Sequence, residues 1–447
     1  MKIGFAISDI TPETGIYLTG YGNPERLAVG VHSPLTATAM VLKYEKEEAV
    51  VVGLDWCEMD VQMSDEIRKG VAAITGFAES RIVLCCSHTH SAPHTEYKKM
   101  LGRTSADPED KGIAYALKSI PAIADAVSRA QASLRETEAA FAAGKTLTGI
   151  SRRGLDENGK PDSFIGDPDL VCDDNMTAVL FRDRETRENL GILIHCSAHN
   201  TCMGGNRNIS SDWCGVMRKR INRSYPVPVL FLNGAVGDVG PRTNLPVRTA
   251  TLRGFAAGGG DGPASAEEVG FRAATDALRL LDDLRTFHSE LPLKVKTTVI
   301  KLPQEIPMSE QDARKVVERY EKNPDPAAKP PMDFLIAQTA LKTWQEPPQP
   351  ELEFTQTLIS FGPLALAPFP FEMFSVLSLR LRKYGPFEFT LLCSIGNGHI
   401  AYMPDCGSIG VGGYEITCRS WERPYVTKPE AGDLAVSQTL KALRGMQ

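Results

Sequence analysis

The segment Ser87-His88-Thr89-His90-Ser91-Ala92-Pro93 places two imidazoles two residues apart, directly after the apolar run 81–86. An imidazole nitrogen is both a ligand for divalent transition metals and a proton carrier near neutral pH. In extended chain, residues i and i+2 project to the same side, so His88 and His90 are expected to converge on one point beyond the end of a strand. Two imidazoles do not close a tetrahedral hydrolytic site. Such a site needs further N or O ligands from elsewhere and one position left for water.

Three other segments offer them. His195 and His199 follow the apolar run 191–194, Glu372 follows Pro370-Phe371, and His399 and Tyr402 follow the run 390–395. Each stands where an element starts or stops. Scattering eight histidines along 447 residues would place one or two segments in that position, not four. The pattern therefore predicts a mononuclear zinc site, with its last ligand left open between His399 and Tyr402.

Other residues stand ready to assist. The run of small residues 234–241 lets backbone approach a ligand, which makes Gly240 and Asp238 candidate substrate contacts; Asp238 alternatively orients a histidine or caps a turn. Ser151-Arg152-Arg153 reads either as a solvated loop or as a clamp for a developing oxyanion. Asp55 either orients a metal-bound histidine or caps the following helix. Trp56 and Trp213 read as core packing, and His32, His94 and His288 as histidines without a chemical role.

The elements that must position these groups read as an α/β fold: mixed or parallel sheets flanked by helices. The run 81–86 is continuously apolar, as in a strand covered on both faces. Helical spacing over 64–75 leads into it, and apolar runs at 37–44, 49–54, 175–182, 191–194, 228–233, 353–361, 364–368 and 390–395 supply further strands. Residues 111–140 read as a long helix interrupted at Pro121, 149–168 as a polar loop, and 372–384 as a helix that Glu372 opens. Residues 287–302 read as strand, 264–284 and 429–443 as helices, and 251–262 as a glycine-rich loop. Residues 303–350 form a helical, proline-rich surface excursion on what is otherwise one large catalytic domain, 1–447.

With 42% hydrophobic and 23% charged residues the chain can bury a large core, and a net charge of -6 argues against a nucleic-acid partner. No stretch reaches the roughly 20 apolar residues of a membrane span. The ten cysteines contain no Cys-x-x-Cys pair and several lie in apolar runs, which fits reduced thiols in the cytoplasm. Nothing in the sequence sets the oligomeric state.

Taken in order, Asp9-Ile10-Thr11-Pro12, the Ser87–Pro93 motif, Ile150-Ser151-Arg152, His199-Asn200-Thr201 with Ile209-Ser210-Ser211-Asp212, Asn233-Gly234 through Asp238, Pro370-Phe371-Glu372 and Asn397 through Tyr402 resemble the landmarks of the neutral/alkaline (non-lysosomal) ceramidase family. The resemblance covers most of residues 1–420. It implies the catalytic fold of that family and a zinc ion held by His88, His199, Glu372 and Tyr402. His90 and Arg152 would face the substrate carbonyl or its oxyanion. Two departures follow from the same comparison. Gly240 stands where the family carries an active-site serine, which leaves hydrolysis of ceramide itself open, and the chain ends at Gln447 without the family's carboxy-terminal β-sandwich domain. The expected activity is zinc-dependent hydrolysis of an amide bond in a small soluble N-acyl substrate. The alternatives are an esterase or lactonase on the same site, or a ligand-binding protein on a retired hydrolase scaffold.

Overall fold

Alternate residues of a strand face opposite sides of a sheet, and in this chain both sides are apolar. Along Thr36–Tyr44, Ala37, Ala39 and Val41 enter one core while Met40 and Leu42 enter another. Burial on both faces is what the unbroken hydrophobic runs of the sequence require. The computed structural model describes residues 1–21, 26–97, 110–161, 164–243, 260–322, 330–346, 351–421 and 423–447.

The first sheet has eight strands in the spatial order Val229–Asn233, Asn189–Cys196, Asn175–Asp183, Arg135–Lys145, Lys2–Asp9, Thr36–Tyr44, Glu47–Leu54 and Ile82–Cys86. Its outer pairs at both ends are parallel, and the pairs between them are antiparallel. In the middle it narrows to two residue pairs, Lys2 with Glu136 and Ile3 with Arg135. A second sheet orders Phe389–Cys393, Leu364–Pro368, Glu351–Phe361, Leu293–Glu305 and Val426–Thr427. The sheets meet in a core to which Phe5, Met40 and Phe181 contribute from one side and Phe361, Leu366 and Leu391 from the other. Each such side chain stabilises the fold by about 1.5–3 kcal/mol on burial.

Helices cover the remaining faces. Val61–Thr75 and Ile120–Ala132 pack on one half of the first sheet, Asp212–Ile221 and Pro263–Asp282 on the other. Ser375–Tyr384 and Ala431–Arg444 pack on the second sheet. The expected α/β class with mixed sheets flanked by helices is the observed one. No helix among the described residues is long and apolar enough to cross a membrane.

Four local readings change. Residues 135–140 are strand rather than the end of a helix: the alanine-rich run favours helix locally, but Arg135–Lys145 pairs along its length with Asn175–Asp183. The polar stretch 149–168 contains a buried strand, Gly149–Gly154, whose arginines are neutralised by protein rather than by water. Glu372 opens no helix; it is the middle of the three-residue strand Phe371–Met373, and the helix begins at Ser375. The strand expected from residue 287 begins at Leu293. In the 303–350 region the helices Glu310–Lys322 and Met332–Trp344 pack on each other over a small cluster of their own. Most of the glycine-rich stretch 251–262 lies outside the described residues.

Candidate metal centre

His88, His90 and His199 sit on segments that continue from strand ends. Beyond Cys86, His88 adopts a left-handed backbone with φ 69°, a conformation that costs a non-glycine residue about 1–3 kcal/mol and persists only where surroundings enforce it. Here its amide donates to Trp56 O at 2.9 Å, and the side-chain amides of Asn200 and Asn233 both donate to Ser87 O. His88 and His90 do converge, with Nε2 atoms 3.2 Å apart. They converge through this turn, not through extended chain.

His199 joins them from beyond the end of Asn189–Cys196, a strand near the opposite end of the sheet order, and an isolated parallel bridge of Thr89 with Asn200 ties the two segments together. Its Nε2 lies 3.1 Å from Glu372 Oε2, and His88 Nε2 lies 3.4 Å from the same oxygen. The three side chains are buried, and their ligand atoms all fall within 4.8 Å of one another. Both rings are fixed from behind: His88 Nδ1 is 2.9 Å from Cys57 O, and His199 Nδ1 is 3.1 Å from Val239 O. Donating Nδ1–H to a carbonyl leaves Nε2 as a lone pair turned inward, the posture of a metal ligand. Glu372 Oε2 is buried without a hydrogen-bond partner among the described residues. An orphaned carboxylate oxygen between two inward lone pairs is the donor set that a divalent cation satisfies.

The electrostatics agree with that donor set. Burial, followed by the neighbouring Arg152 guanidinium, pushes His199 down to about 3, so its ring is neutral. Burial works against ionisation of Glu372, but the surrounding imidazoles outweigh it and hold the carboxyl well below its usual range. Burial, with His88 and His199 adding to it, keeps His90 well below the ordinary histidine value.

Glu372 and Tyr402 are partners across the parallel ladder of Phe371–Met373 with Ala401–Met403, which sets them side by side. Gly237 donates its amide to Met373 O at 2.9 Å, and a Cβ at Gly237 would stand 2.5 Å from Glu372 O. Glycine is required there to let the two backbones touch. Arg152 reaches the centre from its buried strand. Its Nη1 is 3.1 Å from His199 Nε2, a contact that a bound cation would replace, and its Nη2 donates to Gly237 O at 2.9 Å and to the Tyr402 hydroxyl at 3.1 Å.

The remaining candidates are placed elsewhere or used otherwise. His399 is outside the trio of His88, His199 and Glu372 and forms a second group with Glu372 and the half-buried Glu58. The Asp238 carboxylate accepts from Ser375 N and Oγ, both at 2.8 Å, and burial raises it to about 7. Gly240 pairs through its backbone with Ile150. His195 turns away, with Nε2 2.6 Å from Leu392 O. Asp55 neither orients a histidine nor caps a helix, because it binds Arg218 at 2.6 Å and accepts from Thr36. Trp56 and Trp213 are fully buried, and Trp213 Nε1 donates to His199 O at 2.9 Å, a positioning contact beyond packing.

Glu58, Glu96 and Glu415 are acids of the site that no spacing in the sequence announced. Glu415, 1% exposed, bridges Arg152 Nε at 2.9 Å and Arg153 Nη1 at 2.7 Å. Removing one member of a buried ion pair typically costs about 3–5 kcal/mol, because the partner is left charged and dry. Glu415→Ala is therefore expected to lower unfolding stability by that order in chemical denaturation. A loss under 1 kcal/mol would show that Arg152 and Arg153 do not depend on it.

Residues 1–247, over half of the chain, match the family described as neutral/alkaline non-lysosomal ceramidase, N-terminal. Among solved structures, the chain is similar to the crystal structure of neutral ceramidase from Pseudomonas aeruginosa, at 17% identity and a TM-score of 0.72, covering 99% of this chain and 73% of that one. It is also similar to a ceramidase complexed with C2, at 16% identity and a TM-score of 0.71, covering 99% of this chain and 74% of that one. At such identities the likeness is one of fold. No curated protein matches.

Proposed function

Because the chain belongs to the neutral/alkaline non-lysosomal ceramidase family, we propose that it is a zinc-dependent hydrolase cleaving the amide bond of a small N-acyl substrate. The observation that carries the reading is the pair of inward Nε2 atoms, on His88 and His199, facing the orphaned oxygen of Glu372. In this reading His88, His199 and Glu372 hold the zinc, with the Tyr402 hydroxyl as the fourth ligand. Bound zinc polarises an acyl carbonyl and lowers the pKa of water from 15.7 toward roughly 7.

The chain's own residues do the rest. His90, neutral at physiological pH, accepts a proton at Nε2 and returns it to the leaving nitrogen, a role worth about 10²–10⁴-fold. Arg152 presents fixed N–H donors to the oxygen that gains charge. Asp238 acts by positioning, since its carboxylate is taken up by Ser375 while its carbonyl accepts the Arg152 amide at 3.0 Å. In this reading Gly240, where the resemblance places an active-site serine, contributes no hydroxyl to the reaction. All ten cysteines are unpaired, which fits a reducing compartment.

The test is a panel of N-acyl amino acids, acyl amines, esters and lactones assayed with purified protein before and after chelation. Chelator-sensitive release of amine is expected. Faster turnover of esters or lactones would move the reading to that class, and retained zinc with no turnover of any member would support a binding protein, as Gly240 allows. Because burial and its neighbours hold His90 low, the acid limb of kcat/KM is expected below pH 6.5. A limb at or above pH 7 would remove His90 as the proton acceptor.

A further inference from the structure

We propose that this centre holds two divalent cations rather than one, bridged by the carboxylate of Glu372, with the second cation taken by His399 and Glu58. The proposal rests on the metal-hydrolase reading for the first cation only.

The two oxygens of Glu372 serve different groups. Oε2 faces His88 and His199 at 3.4 and 3.1 Å, while Oε1 lies 3.4 Å from His399 Nε2. The ligand atoms of Glu58, Glu372 and His399 lie within 4.8 Å of one another, as do those of His88, His199 and Glu372, and the two groups share only Glu372. His399 therefore does not complete the first set. It opens another.

His399 also has the posture of the two ligand histidines. Its Nδ1 is hydrogen-bonded to Glu96 Oε1 at 3.3 Å, with Glu58 Oε2 near it at 3.0 Å and outside hydrogen-bonding geometry. Its Nε2 has no hydrogen-bond partner among the described residues, although the residue is only 8% exposed. In metal sites a carboxylate on one ring nitrogen fixes the tautomer and directs the other nitrogen at the metal. All three imidazoles thus turn Nε2 toward one carboxylate from two sides. The charges point the same way: Glu372 is matched by the first cation, while Glu58 and Glu96 both stand beside the single imidazole of His399, two carboxylates that a second divalent cation would match where unpaired charge is costly. A bridging carboxylate suits the roughly 3.5–4 Å spacing of two-metal hydrolytic sites, where the second ion shares the charge on the attacking and leaving atoms.

Metal content decides the matter. The full chain, reconstituted with zinc and dialysed, is expected to carry about two equivalents by mass spectrometry, and His399→Asn and Glu58→Gln about one each. Reconstitution with manganese is expected to give a spin-coupled paramagnetic resonance signal in the wild type and an uncoupled one in both variants. Circular dichroism identifies a variant that has failed to fold, and the wild-type stoichiometry and coupling stand without either. One equivalent in the wild type, or an uncoupled signal there, overturns the proposal and leaves His399 as a charged clamp on Glu372. One equivalent with chelator-sensitive amide turnover removes only the second cation. Two equivalents with no turnover on any substrate removes the hydrolase reading and keeps the pair.

Discussion

His88→Ala and His199→Ala are each expected to lose bound zinc and to lower kcat/KM at least about 10³-fold, the equivalent of about 4 kcal/mol. The size follows from the burial of the trio. Removing either ring leaves Glu372 Oε2 facing one inward lone pair instead of two, and no water replaces an imidazole on a rigid strand end at equal strength. His195 supplies the control. It lies on the strand that leads to His199 and is equally buried, yet it is spent on Leu392 O. Substitution there is expected to reduce thermal stability and leave zinc content alone. Full activity in a zinc-free His88→Ala protein would end the zinc-dependent reading.

The second large effect concerns Arg152. Its guanidinium is used as a planar fork: Nε on Glu415, Nη1 toward His199, Nη2 on Gly237 O and Tyr402. Lysine keeps the charge but offers a single point that cannot satisfy these directions together. Arg152→Lys is expected to lower kcat about 10²–10³-fold, the usual loss for one oxyanion donor, with zinc content unchanged. A change confined to KM, or a loss of metal, would assign Arg152 to binding or to holding the ligands instead.

Periodicity and chain order carried most of the frame and some of the site. The continuously apolar strands were legible because burial on both faces leaves no polar alternation to misread, and strand ends directed attention to His88, His199 and, with the choice open, His399 or Tyr402. Residues 135–140 were misread because alanine's helix preference is local, while its pairing partner stands some 40 positions away, at Asn175–Asp183. The choice between a solvated loop and an oxyanion clamp stayed open for Arg152 and Arg153 because their counter-ion, Glu415, is distant in sequence. Glu58 and Glu96 were invisible for the same reason, since only folding brings them to His399. A resemblance of motifs carried the ligand set further than spacing did, but it had no place for the acids around His399.

The trio of His88, His199 and Glu372 comes from chain segments far apart, and Glu372 sits on a strand that exists only by pairing with residues 401–403. A nascent polypeptide still short of Met403 therefore lacks the ladder that presents this carboxylate, however well its earlier portion has folded. On the proposed metal reading, ion uptake waits until residues 401–403 have emerged and paired. A ribosome-stalled fragment ending before that point is expected to bind no cation at the proposed centre, whereas a chain extending past it is expected to bind one.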